Sequence, residues 1–274
     1  MREIHSKLLH LAKHRCLPYV LGLPLFAEYT DRLTILLVGS VATGLCREDS
    51  DIDIAILCAH DVYDSIAEGS DWRQGRPSET KIEGTQLHYY AETFEWVDSQ
   101  LRSLDDVPLY AYGSALVLHD PKDQYESHFA WLTDEAGSLW KERLEGKLDM
   151  LLRRSRALDQ ALRDPDTIVL ARMTLELVTR ASKIAALLDS IPFDPRKRLF
   201  ETALSGSMGR RIEPLLRDMV SAIGDLGSSD GRESSAGTRV RSTTAQVVDA
   251  LSGEAARQQL RVGLDAPDRR QLEE

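Results

Sequence analysis

The sequence has few cysteines, few aromatic residues and no long apolar run. Three cysteines, Cys16, Cys46 and Cys58, occur in 274 residues, with no CxxC pair and no histidine spacing typical of zinc. We therefore expect reduced thiols rather than a disulfide framework or a zinc site. No apolar stretch approaches the roughly 20 residues that span a bilayer, and the polar start MREIHSKLLHLAKHRC lacks the pattern of a secretory leader. This composition is typical of a cytoplasmic protein with no membrane partner.

Basic residues are outnumbered by acidic ones. There are 34 Lys and Arg against 44 Asp and Glu, which gives a formal net charge of -10. General adhesion to nucleic-acid phosphates needs a basic surface, so we do not expect nucleic acid as a partner. A cationic or small neutral partner suits this charge better. Hydrophobic residues make up 42% of the chain, which is enough to bury a substantial core and excludes global disorder.

The order of the sequence patterns predicts a mixed α/β half followed by an all-helical half. Residues 2–15 have the apolar spacing of an amphipathic helix that ends before Pro18. Strand patterns follow in RLTILLVG, DIDIAIL, TKIEGTQLHYYAET and GSALVLHDP, and a turn-rich loop over residues 69–80 precedes the third of them. After about residue 132, leucines recur at helical spacing, and Asp166 with its neighbours resembles the capped start of a new helix.

A Gly/Ser-rich stretch follows the helical half. Eight of the sixteen residues from 227 to 242 are Gly or Ser, which predicts a flexible linker. A last short helix and a frayed, charged end would follow it. We therefore predict three segments, namely residues 1–131, residues 132–224, and a flexible linker and tail over residues 225–274.

Alternating aspartates stand at the start of the second predicted strand. In LLVGSVATGLCREDSDIDIAIL, Asp51 and Asp53 lie two residues apart, so both carboxylates leave the same face of the strand, about 7 Å apart at their Cα atoms. Two close carboxylates repel each other, and burying them is costly without a cation. Mg²⁺ removes both costs because it takes oxygen ligands and completes its shell with phosphate oxygens and water. The pattern predicts a divalent metal site at Asp51 and Asp53.

A glycine and a serine precede these aspartates. Gly39 lets the backbone turn sharply and approach a ligand closely, and Ser40 offers a hydroxyl and a backbone N–H. If a helix begins at Val41, its N-terminus favours an anion at the same place. A metal site and a phosphate site would then converge, as nucleotidyl transfer from a triphosphate requires.

Gly39-Ser40, Gly44 and Ser50-Asp51-Ile52-Asp53, flanked by apolar strands, resemble the GS…DxD signature of the polymerase-β-type nucleotidyltransferase superfamily. The layout resembles its small bacterial branch, which includes the aminoglycoside nucleotidyltransferases. The resemblance implies an α+β (mixed α/β) fold class, with a small mixed sheet and helices followed by an all-helical C-terminal domain, and a substrate between the two.

The resemblance also implies roles for the segments and residues. Residues 1–131 would be the nucleotidyltransferase domain, and residues 132–224 a helical substrate or lid domain. Asp51 and Asp53 would be catalytic residues that bind Mg²⁺. Gly39 and Ser40 would bind the triphosphate of ATP or another NTP.

The sequence departs from the family pattern at the third carboxylate, which the family brings from a later strand. His88 stands at the resembling position. It could accept a proton from a substrate hydroxyl, since an imidazole titrates near neutral pH. It could also bind a metal, although imidazole suits Mg²⁺ poorly, or be a half-buried polar residue of the strand. Glu92 shares its face but lies roughly 13 Å further along an extended strand, and Glu83 has the wrong parity unless a bulge intervenes.

Three hypotheses about function follow. The first is a Mg²⁺-dependent enzyme that transfers AMP from ATP, or another NMP, to a hydroxyl of a small and perhaps cationic acceptor, with release of pyrophosphate. The second keeps this chemistry but makes the acceptor a protein or a tRNA end, as in toxin–antitoxin relatives. The third is a degenerate, non-catalytic nucleotide-binding module, which the missing third carboxylate motivates.

Overall fold

The computed structural model describes residues 2–68, 77–163, 166–225 and 235–265. The chain divides into two compact units, Met1–Glu135 and Ala136–Glu274. Among the described residues, none of the helices combines the length and the apolar composition that a membrane span requires.

The first unit is built on a five-stranded mixed sheet in the order β3-β4-β2-β1-β5. Strand β2 runs parallel to β4, and the other neighbouring strands are antiparallel. Every predicted strand pattern is present, and the third forms a hairpin. The strands are β1 (Thr34–Val38), β2 (Ile52–Cys58), β3 (Ser78–Ile82), β4 (Thr85–Thr93) and β5 (Leu116–His119).

Strand β3 corrects part of the predicted loop. It begins at Ser78, whereas the sequence predicted a loop as far as residue 80. The residues from Ser78 to Ile82 pair with β4 across a two-residue turn at Glu83 and Gly84. This pairing extends β3 to the polar residues that the sequence predicted as loop. The remainder of that loop, residues 69–76, lies outside the described residues.

Both faces of the sheet are covered by helices. Alternate residues of β2 separate the two layers, because Ile52, Ile54 and Ile56 pack in one cluster while Ala55 and Leu57 pack in the other. The helices are α1 (Arg2–Leu11), α2 (Leu17–Leu21), α3 (Pro24–Ala27), α4 (Gly39–Ala42), α5 (His60–Glu68), α6 (Phe94–Arg102), α7 (Asp106–Tyr112) and α8 (Gln124–Asp134).

The first helix continues past its predicted end. A π-helical turn, Ala12–Cys16, joins α1 directly to α2. Pro18 lies in the first turn of α2, where a missing N–H and a fixed φ are tolerated. The π-helical turn interrupts the regular α-helical hydrogen bonds before Pro18. The proline therefore lies at the start of α2 and not in the interior of α1.

The three cysteines of the first unit are free and buried. Burial is the main cause that raises the pKa of the Cys16 thiol to about 11 and that of Cys58 to about 12. The thiolate is the reactive form, so these side chains act as small core residues at neutral pH.

In the part of the second unit that the structure describes, the regular elements are all helices. Asp166 caps α10, since its carboxylate accepts bonds from the backbone N–H groups of Ile168 and Val169 at 2.8 and 3.1 Å. The predicted helix start at this position is confirmed. The helices are α9 (Ala136–Ala161), α10 (Thr167–Leu188), α11 (Leu199–Ser205), α12 (Ser207–Asp225) and α13 (Ser235–Asp265).

Helix α13 corrects the predicted linker. Residues 226–234 and 266–274 lie outside the described residues, but the chain from Ser235 onward is helical rather than flexible. Arg239 Nε donates to Asp218 Oδ1 of α12 at 2.7 Å. The apolar side chains recur at helical spacing, so packing outweighs the low helix propensity of glycine and serine. The buried residues are Ala236, Val240, Val247, Leu251 and Ala255.

Candidate active site

Strands β2 and β4 bring the two aspartates and the histidine together. Asp53 lies opposite His88 in the parallel register, and His88 Nδ1 is 3.2 Å from Asp53 Oδ1 and 3.9 Å from Asp51 Oδ2. The three side chains share one face, as strand parity predicts. They are 44%, 36% and 23% exposed for Asp51, Asp53 and His88, so a ligand from solvent can reach them.

Gly39 places the backbone directly beside Asp53. Its φ is +73°, a conformation that side chains rarely adopt, and a Cβ built at Gly39 would lie only 2.8 Å from Asp53 Oδ2. The antiparallel pairing of Val38 with Asp53 fixes this close approach. The sequence therefore needs glycine here for two independent reasons, and the Asp53 carboxylate lies between Gly39 and His88.

The turn that contains Gly39 and Ser40 is held by side chains from outside the signature. Thr43 Oγ1 lies 3.1 Å from Gly39 O, 3.3 Å from Ser40 O and 3.3 Å from Tyr110 Oη of α7. His5 Nε2 of α1 lies 2.9 Å from Val41 O. The sequence analysis missed Thr43, Tyr110 and His5. They contact backbone carbonyls or each other across the fold, and such contacts leave no local pattern in a sequence.

The two alternative carboxylates lie elsewhere. Glu83 is in the hairpin turn between β3 and β4, where it pairs with Arg15 at 2.8 Å. Glu92 lies opposite Leu57 and is only 1% exposed. His88 remains the residue that the sheet presents to the aspartate pair.

The carboxylates of Asp51 and Asp53 could supply some of the oxygen ligands that a hard divalent cation needs. One oxygen of each carboxylate lies within 4 Å of the same imidazole nitrogen, and the missing side chain of Gly39 lets the backbone come close to Asp53 Oδ2. Within the described ranges, no group of three or more His, Cys, Asp or Glu side chains is arranged to hold a metal ion. A Mg²⁺ ion at Asp51 and Asp53 would therefore take its remaining ligands from water and phosphate oxygens, as Mg²⁺ commonly does.

The small mixed sheet of the first unit presents a Gly-Ser turn beside an Asp-x-Asp pair. Residues 26–115 match the family model described as the nucleotidyltransferase domain. The matched range contains Gly39, Ser40, Asp51, Asp53 and His88. The predicted resemblance is confirmed at this level, and the aminoglycoside branch stays a prediction.

Comparison with other proteins adds little beyond the domain. One similar solved structure is that of a nucleotidyltransferase-like protein from Exiguobacterium sibiricum 255-15, with 10% sequence identity and a TM-score of 0.44. The similarity covers 86% of this chain and 75% of that chain. Such a low similarity identifies neither an acceptor nor a base. No curated protein matches the chain.

Proposed function

We propose that this protein transfers a nucleoside monophosphate, AMP from ATP, to a hydroxyl group of a small acceptor and releases pyrophosphate. The observation that supports this proposal is the position of the Asp53 carboxylate. One of its oxygens lies 3.2 Å from His88 and the other faces the open backbone of Gly39. The Asp53 carboxylate, the imidazole that is proposed as the base and the turn that is proposed to bind phosphate are thus adjacent.

Asp51 and Asp53 hold Mg²⁺ in this proposal. The ion, when bound, neutralises the triphosphate and stabilises the charge that develops on the α-phosphoryl group and on pyrophosphate. Gly39 and Ser40 bind the triphosphate. Because Gly39 has no side chain, a phosphate oxygen can approach its backbone, and the half-buried Ser40 can donate its hydroxyl to a second oxygen.

His88 acts as the general base. A neutral imidazole that donates Nδ1–H to Asp53 Oδ1 has its basic lone pair on Nε2. Nε2 then accepts the proton of the acceptor hydroxyl as the oxygen forms a bond to the α-phosphorus. The bond between the α-phosphorus and the bridging oxygen breaks, and pyrophosphate leaves with that electron pair. The hydrogen bond to Asp53 Oδ1 orients the ring.

The acceptor is proposed to be small and cationic. The net charge of -10 favours a positively charged acceptor such as an aminoglycoside over the phosphates of a tRNA. A protein side chain as the acceptor is compatible with the same chemistry, and an acceptor panel distinguishes these cases.

A non-catalytic nucleotide-binding module is the second candidate. His88 contacts both aspartates where the family places a third carboxylate, and this substitution favours binding without transfer. The two candidates differ in whether a label on the α-phosphate ever reaches an acceptor.

The test compares Asp53→Asn with Asp49→Asn, a matched change at an exposed aspartate of the same segment. We expect wild-type protein and Asp49→Asn to bind ATP in a Mg²⁺-dependent manner. Asp53→Asn should lose at least about tenfold in that affinity, since changes beyond the direct ligands alone cost about 10- to 100-fold. Equal affinities in all three proteins would remove the support for the metal site. Wild-type binding without transfer of α-labelled NTP to an aminoglycoside, protein or tRNA acceptor would favour the second candidate.

A further inference from the structure

Helix α4 is a single turn that cannot be stable by itself. It spans Gly39–Ala42, and the glycines at position 39 and position 44 both have φ of +73°. Starting a helix fixes several residues for one hydrogen bond, so an isolated turn needs support from its surroundings. Part of that support is local, because Gly39 O accepts from Thr43 N at 3.2 Å and Val41 O accepts from Gly44 N at 3.3 Å.

The shortest bond to these carbonyls comes from a distant helix. His5 Nε2 lies 2.9 Å from Val41 O, although the two residues are 36 positions apart. The imidazole also packs on the turn, since a Cβ at Gly44 would lie 3.8 Å from His5 Cε1. His5 lies outside the matched nucleotidyltransferase range, because α1 precedes residue 26, whereas Val41 lies within that range.

Helix α1 is a firm support for the histidine. Its Leu8 and Leu11 are buried in the same hydrophobic cluster as Val41, so the helix and the turn share one core. His5 is half-buried, whereas His10 on the same helix is exposed and stacks on His14 with ring centroids 4.3 Å apart. The chain therefore offers a natural control for the loss of a histidine from α1.

We propose that His5 is a positioning residue for the Gly39–Ser40 turn, acting through the carbonyl of Val41. The proposal rests on the function proposed above. The bond from His5 fixes the Val41–Ala42 peptide plane, which terminates the turn, and so holds Gly39 beside Asp53. His5 touches neither the aspartates nor His88 in this role. Its loss weakens the binding of the triphosphate and leaves the chemical step unchanged.

The experiment uses the full chain as wild type, His5→Ala, His5→Gln and His10→Ala. The glutamine carries an amide N–H that can reach Val41 O as the imidazole does. We expect His5→Ala to raise the Kd and KM for Mg²⁺-ATP by about 3- to 10-fold, the value of one neutral hydrogen bond, with kcat unchanged. His5→Gln should restore most of the affinity, and His10→Ala should match wild type.

Hydrogen exchange supplies a second measurement that needs no nucleotide. The backbone amides of residues 40–44 should exchange faster in His5→Ala than in wild type, and His5→Gln should reverse the change. Unchanged exchange in His5→Ala overturns the proposal, as does a loss of affinity that His5→Gln does not restore. If wild type binds no NTP at all, the proposed function fails. The exchange result then decides alone whether His5 positions the turn.

Discussion

The two carboxylate oxygens of Asp53 face different neighbours. Oδ1 lies 3.2 Å from His88 Nδ1, and Oδ2 faces the position that a Cβ of residue 39 would occupy. A change at either neighbour therefore alters the surroundings of a different oxygen. A substitution at Gly39 tests the proposed binding of ATP. A substitution at His88 tests the proposed proton transfer.

Gly39→Ala should remove Mg²⁺-dependent ATP binding. The alanine adopts a strained positive φ, at a cost of about 1–2 kcal/mol, and its Cβ displaces the Asp53 carboxylate. Gly84→Ala is the matched control, because Gly84 has φ of +85° and open space around its Cβ position. Both variants should lose similar stability in urea unfolding, and only Gly39→Ala should lose affinity. Equal affinities for ATP would show that the close approach to Asp53 has no role in binding.

His88→Ala should slow transfer without weakening ATP binding by a comparable factor. Removing the base removes general-base catalysis, which contributes typically about 10²- to 10⁴-fold. His88→Asp should retain or increase the rate, because it restores the carboxylate that the family pattern contains. Pyrophosphate release and label transfer from α-labelled ATP measure both effects. Transfer by His88→Ala at the wild-type rate would assign the base to another residue.

Helix α13 shows how packing overrides a local composition. The stretch from Ser235 to Ser242 contains three glycine and serine residues in eight, and the helix buries one apolar face and pairs Arg239 with Asp218. Thr243 Oγ1 donates to the same carboxylate at 2.9 Å. The hydrogen bond from Arg239 is the main cause that lowers the pKa of the Asp218 carboxylate.

Leu251→Ala should destabilise the second unit. Leu251 is fully buried, and truncation of such a leucine costs about 2–5 kcal/mol. Asp249→Ala, at an exposed position two residues earlier, should change the free energy of unfolding by no more than about 0.5 kcal/mol. Chemical denaturation followed by circular dichroism measures both. A neutral Leu251→Ala would show that the buried face of α13 does not stabilise the second unit.

The regular elements and the aspartate pair could be predicted from the sequence, because they depend on spacing along the chain. Alternation in DIDIAIL placed Asp51 and Asp53 on one face, and the capping pattern at Asp166 placed a helix start. Contacts between distant segments could not be predicted in this way. The bond from His5 to Val41 and the contact of Thr43 with Tyr110 depend on how helices pack around the sheet, and no local pattern encodes that packing.

At the scale of the whole molecule, each unit has hydrophobic clusters of its own. The two clusters on the faces of the sheet contain only residues before position 136, and the helical cluster contains only later ones. A domain with its own core can fold alone. This division has a direct experimental consequence.

A fragment of residues 1–135 should fold and unfold cooperatively. Its sheet is complete, with five strands and helices on both faces. We expect a single transition in urea and dispersed amide signals in NMR spectra. A fragment with no cooperative transition would show that the first unit needs residues beyond 135 to be stable.

The mixed pairing of the sheet also sets an order in which the site can assemble. Gly39 directly follows β1 and Asp53 lies on β2, the antiparallel neighbour of β1, so a short connection brings them together. His88 lies 35 residues beyond Asp53 and joins through the parallel pairing of β2 with β4, which requires a long crossover. Closing a longer loop costs more chain entropy and slows folding. During synthesis the turn that is proposed to bind the triphosphate can therefore meet Asp53 before His88, the proposed base, joins them.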